Sequence, residues 1–172
     1  SVIHARALQR NQNARLIGVA SPTPGHAEGF ARDYDVPHHF TDYRQMLKLD
    51  DIDMVVIGTP NNTHCEITVA AAEAAKHVVL EKPMCLSMAE ADAMVAACDR
   101  AGVKFMYAEE LCFCPKYGRM KALLDSGALG RPTLVKQSET HDGPHAPHFW
   151  DVEQSGGGVL VDMGCHGIEF SR

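Results

Sequence analysis

Apolar positions in the first two thirds of the chain come in short runs separated by longer amphipathic stretches. The runs RLIGVAS (15–21), DMVVIGT (53–59), HVVLE (77–81) and VKFMYAE (103–109) are brief and rich in β-branched residues, as expected of strands buried on both faces in a parallel sheet. Between them the pattern predicts helices at about 25–33, over DYRQMLK, over HCEITVAAAEAA and over MAEADAMVAACDRA, with a minimal strand at PHHF. Thr63 with Glu66, and Ser87 with Glu90, have the spacing of capping boxes, and Gly102 is placed to end the later helix. Strand and helix in alternation predict an α/β fold with a doubly wound, Rossmann-type parallel sheet.

The rhythm changes after about residue 110. A helix from Pro115 to about Ser126 stops at Gly127, and RPTLVKQSET (131–140) then alternates like a strand with one wet face. The division expected is a Rossmann-type domain over 1–110 and, over 111–172, the beginning of an α+β domain with an open, mainly antiparallel sheet.

Ligands of an open α/β sheet gather outside the carboxyl ends of its strands. Three ends carry polar chemistry: Ser21, the loop TPNNTH, and EKP. Lys82 in EKP stands at the crevice mouth, where its ammonium can meet a ligand hydroxyl, with Pro83 fixing its direction, including through a cis bond. The bland alternative is a surface lysine at a strand-to-helix turn. In SGGGVLVDMGCHGIEF, Asp162 and His166 are four residues apart on an apparent helix, hence on one face, and an imidazole suits proton transfer near neutrality. Alone, that pair reads equally as an ordinary helix-surface contact.

Charge and cysteine content narrow the classes. The formal charge is −6, with 16 basic and 22 acidic residues intermixed, so no cationic stripe offers itself to nucleic acid or an anionic membrane. No apolar run approaches the roughly 20 residues of a membrane span. The 6 cysteines lack paired C-x-x-C spacing and read as reduced thiols in a cytoplasmic setting, with Cys112-x-Cys114 as packing rather than one edge of a metal site.

Taken in order, TPN-x-x-H (59–64), A-x-KHV-x-x-EKP (74–83), DSGALG (125–130) and SGGG-x-L-x-DMG-x-H (155–166) resemble the glucose-fructose oxidoreductase, inositol dehydrogenase and rhizopine-catabolism family across nearly the whole chain. The resemblance implies an NAD(P)-dependent oxidoreductase that moves hydride between a nicotinamide and a secondary alcohol of a sugar, cyclitol or related polyol. The rival is a non-catalytic sugar or dinucleotide sensor on the same fold. It gives Lys82 the reacting oxygen and the nicotinamide ribose, His166 the acid/base role, and Asp162 substrate orientation and tuning of the proton relay. Thr59, Pro60, Asn61 and His64 would line the dinucleotide site, with Glu81 and Lys82 on the same edge, and the full-length protein would assemble as a homo-oligomer.

Departures from the family pattern also carry information. The G-x-G-x-x-G turn is absent, and SVIHARALQ resembles the helix that follows it, so the first strand and its glycine turn are expected ahead of Ser1. Ser21 stands where an Asp would favour NAD; with Thr23 it tolerates a 2′-phosphate, which leans the cofactor from NAD toward NADP. The family's N-x-R-F-x-P strand end reads ELCFCP, placing Glu110 and Cys112 at the Asn and Arg positions. In SETHDGPHAPHFWD, Glu139, His141, His145 and His148 carry ligand types that suit zinc or manganese. Their spacing fits no common ligand signature, so no metal is assigned. Glu110, His141, His145 and Trp150 are instead the candidates for contact with a polyol, Trp150 as a stacking platform.

Overall fold

The computed structural model describes residues 2–144 and 146–172. Its first half is built of parallel β-α units. Strands β1 (Gly18–Ala20) and β2 (His38–Phe40) pair in parallel, and β3 (Met54–Ile57), β4 (His77–Glu81) and β5 (Phe105–Ala108) form a second parallel sheet in that order. Parallel neighbours need crossovers, and each crossover here contains a helix. They are α2 (His26–Tyr34) between β1 and β2, α4 (His64–Glu73) between β3 and β4, and α5 (Met88–Ala101) between β4 and β5. Ahead of them lies α1 (Val2–Gln9), and α3 (Tyr43–Met46) is a single turn whose N-cap Asp42 accepts from the Arg44 amide at 2.9 Å. The doubly wound parallel arrangement expected, with its first strand missing, is present as two parallel sheets, and no strand hydrogen-bonds to both β1 and β3 among the described residues.

The core explains why the β3–β4–β5 sheet is firm. Ile57, Val78, Leu80, Ala71 and Met94 are each 3% exposed or less and interlock sheet with helices. Helices α4 and α5 approach closely through Ala72, Ala97 and Cys98, whose small side chains leave room for it. Every buried member of these clusters lies between Leu47 and Cys98.

Helix ends follow the sequence only in part. Ser87 Oγ accepts from the Glu90 amide at 3.3 Å, and the Glu90 carboxylate reaches back to the Leu86 amide at 2.8 Å. Gly102, at φ 65°, closes α5 with its amide directed to Asp99 and Cys98. The Thr63–Glu66 box does not form. A 3₁₀ turn over Asn61–Thr63 leads into α4, Thr63 bonds back to Thr59 and Pro60, and Glu66 pairs with Arg44 and Tyr43.

Beyond β5 the chain forms a 3₁₀ turn (Glu110–Phe113), α6 (Pro115–Asp125), α7 (Val152–Ser155), α8 (Val159–Asp162) and α9 (Gly164–Ser171). The strand expected over 131–140 is not formed: those residues are exposed, without regular structure, and have no strand beside them among the described residues. An alternating pattern encodes one wet face, but a strand exists only with a partner for its ladder. Cys112, expected as packing, is exposed.

Candidate active site

Two adjacent strand ends each deliver one charged side chain. In the β4–β5 ladder Glu81 stands opposite Ala108, so Lys82 and Glu109 each come one residue beyond that rung. Pairs to both come from the α8–α9 corner. Lys82 Nζ donates to Asp162 Oδ1 at 2.9 Å and to the Asp162 carbonyl at 3.2 Å. His166 Nδ1 donates to Glu109 Oε1, and His166 Nε2 lies 3.8 Å from Glu110 Oε1.

Asp162 and His166 therefore do not share one helix face, as their spacing predicted. Helix α8 ends at Asp162 and α9 begins at Gly164, with Met163 at the break. The glycines around the corner cannot propagate a helix well, and each of the two side chains turns to its own strand end. Glu109, which the sequence did not single out, is 2% exposed and His166 4%. The other Glu109 oxygen accepts from the Leu111 amide at 3.2 Å, so the carboxylate is satisfied on both sides. A charged residue closing a buried strand was the available signal, the same one that marked Lys82.

Burial lowers the pKa of Lys82, but the hydrogen bond and charge of Asp162 outweigh it and leave the ammonium above its ordinary value. Burial likewise pushes the Cys165 thiol up, against the opposing pull of Lys82. Tyr107 beneath it is pushed well above the ordinary phenol, chiefly by burial and then by Cys165. The cleft thus holds a firm cation, and a thiol and a phenol that keep their protons.

Loops behind the pair are tied together by buried polar groups. Pro83 follows Lys82 through a cis peptide bond. His64, with no exposed surface, faces the carbonyls of Thr59 at 2.9 Å and Pro83 at 3.0 Å through its two ring nitrogens. Asn61, 3% exposed, donates to the Ser155 carbonyl at 2.9 Å and so fastens the TPN loop to the glycine-rich segment. Expected to line the dinucleotide site, Asn61 and His64 are buried, with Asn61 Nδ2 held by the Ser155 carbonyl and both His64 ring nitrogens facing carbonyls. Glu81 is committed as well, to His4 Nε2 at 2.5 Å and the Lys82 amide at 3.1 Å.

The remaining candidates are more open. Thr59, Pro60 and Ser21 are half-buried at strand ends; the Ser21 amide donates to Phe40 and its hydroxyl accepts weakly from the Thr23 amide at 3.4 Å. Glu110 has a 63% exposed side chain at the cleft mouth. His141 is exposed, Trp150 ends a 3₁₀ turn over Pro147–Trp150 and is 79% exposed, and the two charge pairs are made without them. His145 lies outside the described residues.

Glu109, Glu110 and His166 bring ligand atoms within 4.8 Å of one another. The two carboxylates, however, address opposite ring nitrogens, whose lone pairs diverge, so no single ion is ligated by all three. Within the set, Glu109 and His166 are hydrogen-bonded, and Glu110 stands off at 3.8 Å. For a dinucleotide the residues fit in part: the carboxyl ends of parallel strands present the Ser21 and Thr59 hydroxyls and the Lys82 ammonium, groups suited to ribose hydroxyls and a carboxamide, with the Pro60 ring beside them.

Comparison with known proteins agrees with this architecture. Residues 2–109 match the family model of the oxidoreductase family with NAD-binding Rossmann fold, and residues 117–172 match the GFO/IDH/MocA C-terminal domain. The chain belongs to the GFO/IDH/MocA oxidoreductase family. Among this family's proteins, levoglucosan dehydrogenase of Pseudarthrobacter phenanthrenivorans is 32% identical over 159 residues, covering 90% of this chain and 41% of the relative. The scyllo-inositol 2-dehydrogenase (NAD(+)) of Bacillus subtilis is 31% identical over 170 residues, covering 98% and 49%. The crystal structure of scyllo-inositol dehydrogenase from Lactobacillus casei with bound NAD(H) and scyllo-inositol superposes with a TM-score of 0.71 at 28% identity, over 75% of this chain and 38% of that one. The chain spans about half the length of the curated relatives it matches. No helix among the described residues is long and apolar enough to cross a membrane.

Proposed function

We propose that this chain belongs to an NAD(P)-dependent dehydrogenase that oxidises a secondary alcohol of a cyclic polyol or sugar. The observation that carries the reading is the Lys82 ammonium, held by Asp162 at 2.9 Å at the carboxyl end of a parallel strand, with the His166 imidazole arriving at the neighbouring strand end. Oxidising CH–OH separates a hydride from carbon and a proton from oxygen, and a cleft that performs it needs a donor at that oxygen and an acceptor for its proton.

Lys82 Nζ is the donor. It hydrogen-bonds the reacting oxygen and stabilises the negative charge that grows there, and Asp162 holds it in place and keeps it charged. His166 takes the proton through Nε2, the ring nitrogen directed away from Glu109. A bound nicotinamide supplies the hydride acceptor. Ser21, Thr59, Pro60 and Lys82 hold the dinucleotide, with Asn61, His64 and Glu81 bracing the loops around it. Ser21 leaves room for a 2′-phosphate, which favours NADP. Glu110, His141, His145 and Trp150 are proposed as polyol contacts, in a cytoplasmic enzyme that assembles from several copies.

The proposal is tested by following absorbance at 340 nm with the full-length protein, NAD or NADP, and a panel of cyclitols and sugars. A substrate-dependent rise whose rate at saturating nucleotide falls about 100-fold or more in Lys82→Met is the expected result. Nucleotide binding without turnover of any polyol would favour a sensor, and an unchanged rate in Lys82→Met would overturn the role of that lysine.

A further inference from the structure

We infer that Glu109 is the positioning residue that sets which nitrogen of His166 carries the proton, and so makes Nε2 the atom that receives the proton of the substrate alcohol. The inference rests on the dehydrogenase reading for its last step, and on geometry for the rest.

Three features lead to it. Glu109 and His166 are 2% and 4% exposed, so water does not compete for their contact. A carboxylate can only accept, and Glu109 Oε1 meets Nδ1; the neutral ring therefore keeps its single N–H on Nδ1 and leaves the Nε2 lone pair open. The carboxylate is itself fixed, because its second oxygen accepts from the Leu111 amide at 3.2 Å and its backbone leaves β5 one residue past the Glu81–Ala108 rung. A buried acid in that position also balances the charge His166 gains on taking a proton at Nε2.

The groups around the imidazole are consistent with this division. Glu110 Oε1 is 3.8 Å from Nε2 with a 63% exposed side chain, too distant to hold a proton there. Asp162 is occupied by Lys82, and the Cys165 thiol donates to the Asp162 carbonyl at 3.3 Å. Glu109 is thus the acceptor that faces His166 at hydrogen-bonding distance among the described residues, and Lys82–Asp162 forms a second, separate unit.

The test reads the tautomer directly. In the full-length protein labelled with ¹⁵N in its histidine rings, and with His166→Gln to assign the signals, neutral His166 is expected to show a protonated Nδ1 and an unprotonated Nε2. In Glu109→Gln, whose amide can donate as well as accept, the Nε2–H form should become populated, and kcat should fall about 100-fold or more while KM changes less than about threefold. Glu109→Asp, one methylene shorter, should keep the tautomer partly and recover part of kcat. A proton on Nε2 in the unaltered protein overturns the inference, as does a kcat unaffected by Glu109→Gln. The tautomer is measured without substrate, so absence of turnover would strike the dehydrogenase reading alone.

Discussion

Lys82 and Glu109 leave neighbouring parallel strands one residue beyond the same rung, and their opposite charges are answered from a single helix corner by Asp162 and His166. The sheet register therefore sets the spacing of the chemistry. A shift of either strand by one residue would turn its terminal side chain to the other face and separate the two pairs.

The Lys82–Asp162 pair gives a pH dependence of definite sign. The folded-state pKa of Lys82 lies above its ordinary value. While Asp162 is ionised, the pair consequently stabilises the fold at pH values below that ordinary value, about 10.4, and its contribution is lost as pH rises through the raised one. Urea midpoints of the unaltered protein and Lys82→Met should differ by a constant amount from pH 7 to about 10 and converge above. In Asp162→Asn the lowering effect of burial loses its main opponent, so the lysine should titrate at lower pH and the alkaline limb of kcat should move down. Convergence near pH 8 in the unaltered protein would contradict this.

Asn61 ties the TPN loop to the segment that carries Asp162 and His166 through one buried hydrogen bond. Asn61→Ala leaves the Ser155 carbonyl buried without that partner, and chemical denaturation should show a loss of about 1–3 kcal/mol. No change in the midpoint would mean that water or a neighbouring donor replaces the amide.

Gly156 has φ 79°, and a Cβ added there would stand 2.5 Å from Leu86 Cδ2. Gly156→Ala should cost roughly 1–2 kcal/mol for the left-handed backbone, plus whatever Leu86 loses by moving. The double variant with Leu86→Ala separates the two: if backbone conformation dominates, the cost of the added methyl is much the same in either background.

Ser21→Asp should shift nucleotide use. A carboxylate at the end of β1 favours the ribose hydroxyls and repels a 2′-phosphate, so kcat/KM for NADP should fall relative to NAD by about tenfold or more. An unchanged ratio would place the 2′ position away from Ser21.

The first half of the fold was legible because its determinants are local. Val55, Ile57, Val78 and Leu80 alternate between flanking helices of the right length; Gly102 marks a helix end by its left-handed backbone, and Ser87 marks a helix start by the hydroxyl that accepts from the Glu90 amide. Residues 131–140 misled for the complementary reason: alternation records which face is wet and says nothing of the strand beside it. Lys82 was legible as a charge at a strand end. Its partner was assigned to a helix face that breaks at Met163, and Glu109 passed as the last letter of an apolar run. Asn61 and His64 were legible as a motif but not as buried, since the carbonyls that consume them come from residues as distant as Ser155 and Pro83.

Separate strand ends would give the two halves of the proposed reaction separable inheritance. Ser21 follows β1, and Lys82 and Glu109 follow β4 and β5; Ser21 bonds to Phe40 and Thr23, while Lys82 and Glu109 bond to Asp162 and His166. Under the proposed function, lineages could exchange one dinucleotide for the other by drift at residues 21–24 while the alcohol chemistry stays fixed, and could change the alcohol without relearning the dinucleotide.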